Sequence, residues 1–412
     1  MSDPAPTSAT LLRANGVPRR ARIAVTAAYA AQGLGYAVVV TSLPAFKLQQ
    51  GIDDTVVSII ILGVCLTAAL GSVVANAVAV RRGSRTALAL GLGIQAAAFL
   101  AILAGAPFPL FAAAFALYGI GLGCVDAASA MQGVLVQRAY GRSLLGGLFA
   151  AYTAAAMAGA LLASWVAASA LPVSFVIAVA LIVAIGVAFA GARLFAPEIP
   201  IDQALAPAER TKLPRAGIWA FGLVILAAFV VDSGVSTWST VYLHDHVGAA
   251  GWAAPLGYAA YQFVILVSRL ATDRLLPLAG RRRMITIAVI VSVIGCLVVA
   301  ILPLPAAAVA GFALAGVAVG VLVPVTFGAA GELDPAHSDQ IIARVNIFNY
   351  AGAVLGAVVI GLLADWPGLG PAFVLPAIAL AAVLLVVPRF RTTASAAARG
   401  AGPDDAASDP RR

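Results

Sequence analysis

The chain alternates between long apolar stretches and short polar breaks. Stretches of roughly 20 or more residues are long enough to cross a bilayer as helices, and twelve occur, at 22–46, 55–80, 86–105, 107–137, 143–168, 172–194, 216–243, 252–276, 284–302, 305–330, 340–363 and 370–388. Prolines and glycines mark many of the breaks, among them Pro107, Pro172, the Pro303/Pro305 pair and Pro367-Gly368. The longest internal break, 195–215 (FAPEIPIDQALAPAERTKLPR), is proline-rich and mixed in charge, and it divides the runs into two sets of six. A basic loop leads into an apolar run at 81–90 (RRGSRTALAL) and again at 280–289 (GRRRMITIAV), which gives the halves a weak repeat character.

The expected fold is therefore an all-α membrane protein, with twelve transmembrane helices in two pseudo-symmetric six-helix bundles. The bundles occupy 22–194 and 216–388 and are joined by the cytoplasmic linker 195–215. An N-terminal tail, 1–21, precedes them. A C-terminal tail, 389–412, follows and is low enough in large apolar residues to predict disorder. Repeated helical halves of this kind underlie alternating-access transporters.

Composition agrees: 62% of the 412 residues are hydrophobic and 10% charged, against about 25% charged in soluble domains. The net charge of +8 could suggest a nucleic-acid partner, but the basic residues sit in short clusters between apolar runs, where topology explains them better. With both termini cytoplasmic, all of the 25 Lys and Arg residues except Lys47 fall on the cytoplasmic side. This placement predicts a multi-pass protein of the cytoplasmic (inner) membrane. Cys65, Cys124 and Cys296 all lie in apolar runs, so no disulfide framework is expected.

Two acids break the apolar runs near mid-membrane, Asp126 in the fourth and Asp232 in the seventh. A charge there costs about 2.5–3.5 kcal/mol on insertion scales, so such a residue marks a functional site by default. The apolar runs place no Lys, Arg or His in the central part of any helix. An acid without a counter-charge in apolar surroundings favours its neutral form, which suits Asp126 and Asp232 to carrying protons. The competing reading is a permanently neutral acid that hydrogen-bonds a neighbouring helix. The same absence of cations argues against an anionic solute, which needs a guanidinium or ammonium to replace its hydration.

Candidate solute contacts at mid-depth are Gln32, Tyr36, Gln132, Tyr152, Trp238, Tyr261, Gln262, Asn346, Asn349 and Tyr350. Candidate gating groups are Arg81 and Arg85 after the second helix, with Arg269 and Asp273 one turn apart at the cytoplasmic end of the eighth. Small residues recur every fourth position in the second helix (Gly63, Thr67, Gly71, Ala75, Ala79), the fifth (Gly147, Ala151, Ala155, Gly159, Ala163) and the eleventh (Ala353, Ala357, Gly361), a spacing that lets helix backbones approach closely. His244-Asp245-His246 has metal-like spacing but no further ligands nearby, so neither a metal nor another cofactor is expected.

The loop after the second helix, Asn76-Ala-Val-Ala-Val80-Arg81-Arg82-Gly83-Ser84-Arg85, resembles the G-x-L-x-D-R-x-G-R-R signature of the major facilitator superfamily, with Val80 at the acidic position. In the second half, Arg269-Leu-Ala-Thr-Asp273-Arg274 followed by Gly280-Arg281-Arg282 matches better, apart from an insertion. Asp126 and the run from Val231-Asp232 through Trp238 to Tyr242 look like features of the fucose-permease-like branch and its uncharacterised inner-membrane relatives. Drug–proton antiporters of that superfamily typically carry an arginine where Leu117 stands here, and a Gly-Pro element that the fifth helix lacks.

The resemblance implies a secondary transporter rather than an enzyme, and no nucleophile–base or metal cluster lies inside the helices. The expected activity is proton-coupled movement of a small neutral or cationic organic solute, sugar-like or a metabolite, by a monomer in the lipid bilayer. Proton-driven efflux of a drug-like compound is the nearest alternative. A transport-inactive sensor or assembly partner is the alternative from another class.

Overall fold

The computed structural model describes residues 17–140, 144–196, 213–334 and 338–390; the side chains of Val17, Pro18, Arg138, Asp273, Ser338, Asp339 and Ala343 lie outside the described set. Residues 197–212 of the expected linker, and 1–16 and 391–412 of the expected tails, also lie outside it. Twelve helical segments follow one another. They are α1 Val17–Thr41, α2 Asp54–Arg82, α3 Ser84–Leu103, α4 Phe108–Tyr140, α5 Leu145–Ala167 and α6 Ser174–Leu194. The second set is α7 Arg215–Val241, α8 Leu256–Ala279, α9 Arg281–Ile301, α10 Pro305–Gly331, α11 Ser338–Val354 and α12 Val374–Val383.

A short helix, Leu43–Gln50, extends α1, and α11 runs on through a wider turn, Leu355–Val359, to Ile360–Leu362. Among the described residues, ten helices are long and apolar enough to cross a membrane. The broken segment Ala364–Ala372 with Val374–Arg389, bent by 50°, makes an eleventh. The helix outside that test is α8, which carries Arg269, Asp273 and Arg274.

Helices are the natural solution here because a lipid-facing backbone must satisfy its own hydrogen bonds. Local signals set their ends. Asp53 caps α2, its side chain accepting the Val56 N–H at 2.8 Å, and Pro305 opens α10. Gly83 and Gly280, each the hinge between consecutive helices, adopt φ +83° and +74° with ψ near 159° and 155°. Side chains other than glycine rarely reach that backbone region. The basic-loop repeat read in the sequence thus reappears as the same backbone turn.

The turns also place equivalent arginines. Two residues after Gly83, Arg85 donates to the Ala192 carbonyl near the end of α6. Two residues after Gly280, Arg282 donates to the Phe390 and Pro388 carbonyls beyond α12, at 2.6 Å each.

Helix pairings in the first six recur in the second. The pairs α2–α4, α3–α4, α1–α5 and α3–α6 correspond to α8–α10, α9–α10, α7–α11 and α9–α12. Glycines permit the closest of these. A Cβ on Gly71 would meet the Ile120 backbone, and one on Gly123 the Ala68 backbone, so α2 and α4 touch main chain to main chain. Gly356 and Gly352 of the α11 region do the same against Val230 and Leu226 of α7. The small-residue stripes are only partly seams: Gly63 and Gly147 have open space beside them, whereas Gly71 and Gly159 are in contact.

The bundles meet through α1–α7, α5–α8 and the α2–α11 region, and polar contacts hold them together at the end opposite the arginine-rich loops. There Lys47 is paired with both Asp54, at the start of α2, and Asp245, just beyond α7. His246 Nε2 lies 3.0 Å from Asp54 Oδ2, Thr55 donates to Asp365 at 3.2 Å, and Ser164 donates to the Trp252 carbonyl at 2.5 Å. The His-Asp-His run thus belongs to an ion network. Burial works against the Lys47 charge, but the Asp245 and Asp54 carboxylates outweigh it and hold its pKa above that of an ordinary lysine.

At the arginine-rich end, Arg85 and Arg282 bond within their own bundles, as does Arg281, which forks onto Glu332 at 2.5 and 2.6 Å. That hydrogen bonding holds the Glu332 carboxyl below its usual range. Among the described residues, the Lys47 end therefore carries ion pairs between the bundles, while the arginines just named bond within their own bundle.

Candidate functional site

Asp126 sits two residues past the midpoint of α4 and is exposed to the gap. Its Oδ1 accepts from Gln32 Nε2 of α1 at 2.8 Å; that same amide reaches the Leu122 carbonyl at 3.2 Å. Gln95 Nε2 of α3 donates to Gln32 Oε1 at 2.8 Å. A chain of two amides thus links three helices and ends on the carboxylate. Gln32 is 3% exposed, so its side chain is committed to Asp126 rather than offered to a solute. Gln95 was missing from the sequence-derived set, although it is the lone polar residue along the apolar face of α3 and the rule that selected Gln32 would have selected it too.

Asp232, on α7 in the other bundle, is partly exposed and accepts from the Tyr261 hydroxyl at 2.7 Å. Around it stand Tyr36 of α1, which also lies against Ser236 and Thr237, and Tyr258 of α8. Tyr152 of α5 lies within electrostatic range of both aspartates, so it stands between the two acidic sites. On α11, Tyr350 is 57% exposed and lies within range of Asp126 across the gap; Asn346 and Asn349 beside it are half-buried.

Arg269 corrects the sequence reading. It belongs to the middle of α8, just past the midpoint and ten residues before Ala279, about 15 Å from that helix end at 1.5 Å per residue. Its Nη1 donates to Thr153 Oγ1 of α5 at 2.9 Å, a bond between the bundles, and its guanidinium lies 6.0 Å from the Phe149 ring centre. Asp232 is within its electrostatic range, so that aspartate does have a cation nearby and the interior is not free of positive charge. The reason is register: the apolar run placed the end of the eighth helix at residue 276, and α8 both starts later and continues past that point. Asp273, its expected gating partner, lies outside the described side chains.

Other expected contacts turn inward. Gln132 is fully buried at the arginine-rich end of the N-terminal bundle, where it donates to Ser84 at 2.8 Å and accepts from the Ala196 N–H at 2.9 Å. Trp238 is 0% exposed, donates to the Ala357 carbonyl at 2.7 Å and packs on Gly361. Gln262 pairs with Tyr258 one turn away at 2.5 Å. Of the expected gating arginines, Arg81 is exposed, and Arg85 serves its own bundle as described above. Asp126, Asp232, Arg269, Tyr36, Tyr152, Asn346, Asn349 and Tyr350, by contrast, are each at least partly exposed.

Comparison with known proteins agrees with this architecture. The family model described as "Major Facilitator Superfamily" matches residues 25–307 and 247–410. An uncharacterised MFS-type transporter of Yersinia pestis is 25% identical over 85% of this chain and 91% of its own length. The uncharacterised transporter y4wD of Sinorhizobium fredii is 30% identical over 70% of this chain and 77% of its own. Among solved structures, a mutant of the nucleoside transporter NupG aligns with a TM-score of 0.68 at 12% identity, covering 90% of this chain and 98% of that one. The transporter FucP in its outward conformation aligns at 0.62 and 12%, covering 90% and 99%. At such identities these structures show the shared fold. Two six-helix bundles, a polar gap between them and a family match along nearly the whole chain lead to one conclusion: the chain belongs to the major facilitator superfamily of multi-pass membrane transporters.

Proposed function

We propose that this transporter is proton-coupled and moves a small organic solute across the cytoplasmic membrane by alternating access, as a monomer. The arginine-rich end and both termini are then cytoplasmic, and the Lys47 network ties the bundles together on the outside. Asp126 and Asp232 carry the coupling protons. The observation that supports this most directly is the pair itself: two carboxylates on opposite bundles, both reachable from the gap, and neither locked in a contact ion pair among the described residues. Each can therefore change charge without breaking a salt bridge that holds the fold. Tyr36, Tyr152, Asn346, Asn349 and Tyr350 supply a solute surface of aromatic faces and amides.

Restriction to neutral or cationic solutes rested on an interior free of cations, and Arg269 removes that ground. The experiment is transport in proteoliposomes with an imposed pH gradient, using the wild type, Asp126→Asn and Asp232→Asn. Solute accumulation should follow the gradient in the wild type and fail in the variants, while exchange without a gradient persists. Undiminished gradient-driven accumulation in both variants would sink the proposal.

A further inference from the structure

Arg269 is the charged group the proton-coupled reading leaves without a task. An arginine at the centre of a membrane helix costs about 2.5–3.5 kcal/mol on insertion scales, so its retention at mid-depth needs a reason. The bonding among the described residues does not supply one. Among the described residues, one of the five N–H donors a guanidinium carries is used, on Thr153, and no carboxylate forms a contact ion pair with it. The side chain is only partly buried, so the guanidinium is not sealed from solvent.

We infer that Arg269 binds an anionic group of the transported solute, such as a carboxylate, and that a proton on Asp232 frees it to do so. The inference rests on the reading that Asp232 carries a coupling proton.

The argument is charge balance at low dielectric. In the empty site, ionised Asp232 and Arg269 sum to zero and attract each other without touching. In the loaded site, neutral Asp232, Arg269 and the solute anion again sum to zero. A site holding only the proton, or only the anion, carries a net charge that its surroundings stabilise poorly. Proton and anion therefore favour each other's binding, and reciprocally so.

The neighbouring groups do not replace Asp232 in this role. Tyr261 and Tyr258 of α8, Tyr36 of α1 and Tyr152 of α5 are phenols, neutral at ordinary pH. Cys65 of α2 is beside Tyr36. Asp126 of α4 reaches Tyr152 and is absent from the groups acting on Arg269. The α10 helix brings no titratable residue to α7 or α8. On α11, Arg344 is exposed, and Tyr350 lies within electrostatic range of Asp126. Asp273, one turn beyond Arg269, lies outside the described side chains.

The test is equilibrium binding to the purified full-length protein, with lactate, benzoate and gluconate as probes, each beside its uncharged amide, from mildly alkaline to mildly acidic pH. A carboxylate should bind more tightly as pH falls, approaching about tenfold per pH unit, the limit for one obligatory proton, and its amide should not bind. Arg269→Gln should lose the response and Arg269→Lys recover part of it. Asp232→Asn, which keeps the arginine, should bind the carboxylate independently of pH. The inference is overturned if no carboxylate binds, if the amide binds as well as its acid, or if Arg269→Gln binds as the wild type does. The outcomes also separate the two readings. Carboxylate binding without pH dependence in the wild type removes the Asp232 proton, whereas pH-dependent binding of an amide keeps the proton and removes the anion.

Discussion

The two aspartates lie near the middles of helices in opposite bundles and are held in opposite ways. Asp126 is fastened by neutral dipoles, a Gln95–Gln32 chain that ends on one carboxylate oxygen. Asp232 is fastened by a phenol, Tyr261, and feels a cation, Arg269. The scaffolds behind them are alike: main-chain contact at Gly71 and Gly123 fixes the helix of Asp126, and Gly352 with Gly356 fixes that of Asp232. Repetition in the fold has therefore preserved the framework and let the electrostatics diverge. A carboxylate among amides can gain a proton with little reorganisation, because an amide can donate or, after rotating, accept. A carboxylate near a guanidinium gains one only when something else balances that cation.

The largest expected effect breaks the comparison outright. Asp232→Asn should leave Arg269 without its balancing charge and lower gradient-driven accumulation by about tenfold or more, equivalent to at least about 1.4 kcal/mol. Asp126→Asn should also uncouple transport but leave anion affinity near wild type, as measured by binding beside transport. Equal effects of both variants on anion affinity would show that the sites are one.

Next come the scaffolds. Gly123→Val and Gly356→Val should each destabilise the protein by about 1–3 kcal/mol through overpacking, lowering its melting temperature in detergent to similar extents. A difference well outside that range would mean that the bundles do not hold their aspartates equivalently.

The fastenings themselves come third. Gln32→Leu removes the donor to Asp126 and the acceptor for Gln95, an expected loss of about 1–3 kcal/mol. Tyr261→Phe removes one donor while Arg269 remains, an expected loss of about 0.5–1.5 kcal/mol. Thermal denaturation of the two variants, and of each combined with its own Asp→Asn, checks the order.

The smallest effect lies at the seal. Lys47→Gln should shift the balance toward the outward-open form by about 1 kcal/mol, since its ion pairs are partly solvated. Spin labels at Leu48 and Trp252 would report the change in distance. A lysine whose pKa is raised contributes below its ordinary value, about 10.4, and loses that contribution only above it. The Lys47 contribution to the seal should therefore be constant through neutrality and weaken only in strongly alkaline solution.

Much of the molecule was legible in the residue order. The helices, the repeat of basic loops and the two mid-membrane acids all depend on local pattern: an apolar run long enough to span, a basic cluster at its end, a charge where none belongs. Which side chains meet was not legible, because partners are set by the rotation and register of helices far apart in sequence. Gln132 and Trp238 read as solute contacts by depth alone, yet rotation turns both into the packed interior. Lys47 read as the exception to a charge rule and proves to bind two acids across the bundle interface. Arg269 shows the limit most plainly. An apolar run marks where a helix can lie to within several residues, and a few residues, at 1.5 Å each, separate a cation at a helix end from one near mid-helix. The sequence by itself determined that carboxylates sit inside this protein; only the packing of α8 against α5 and α7 decided that one of them has a cation for a neighbour.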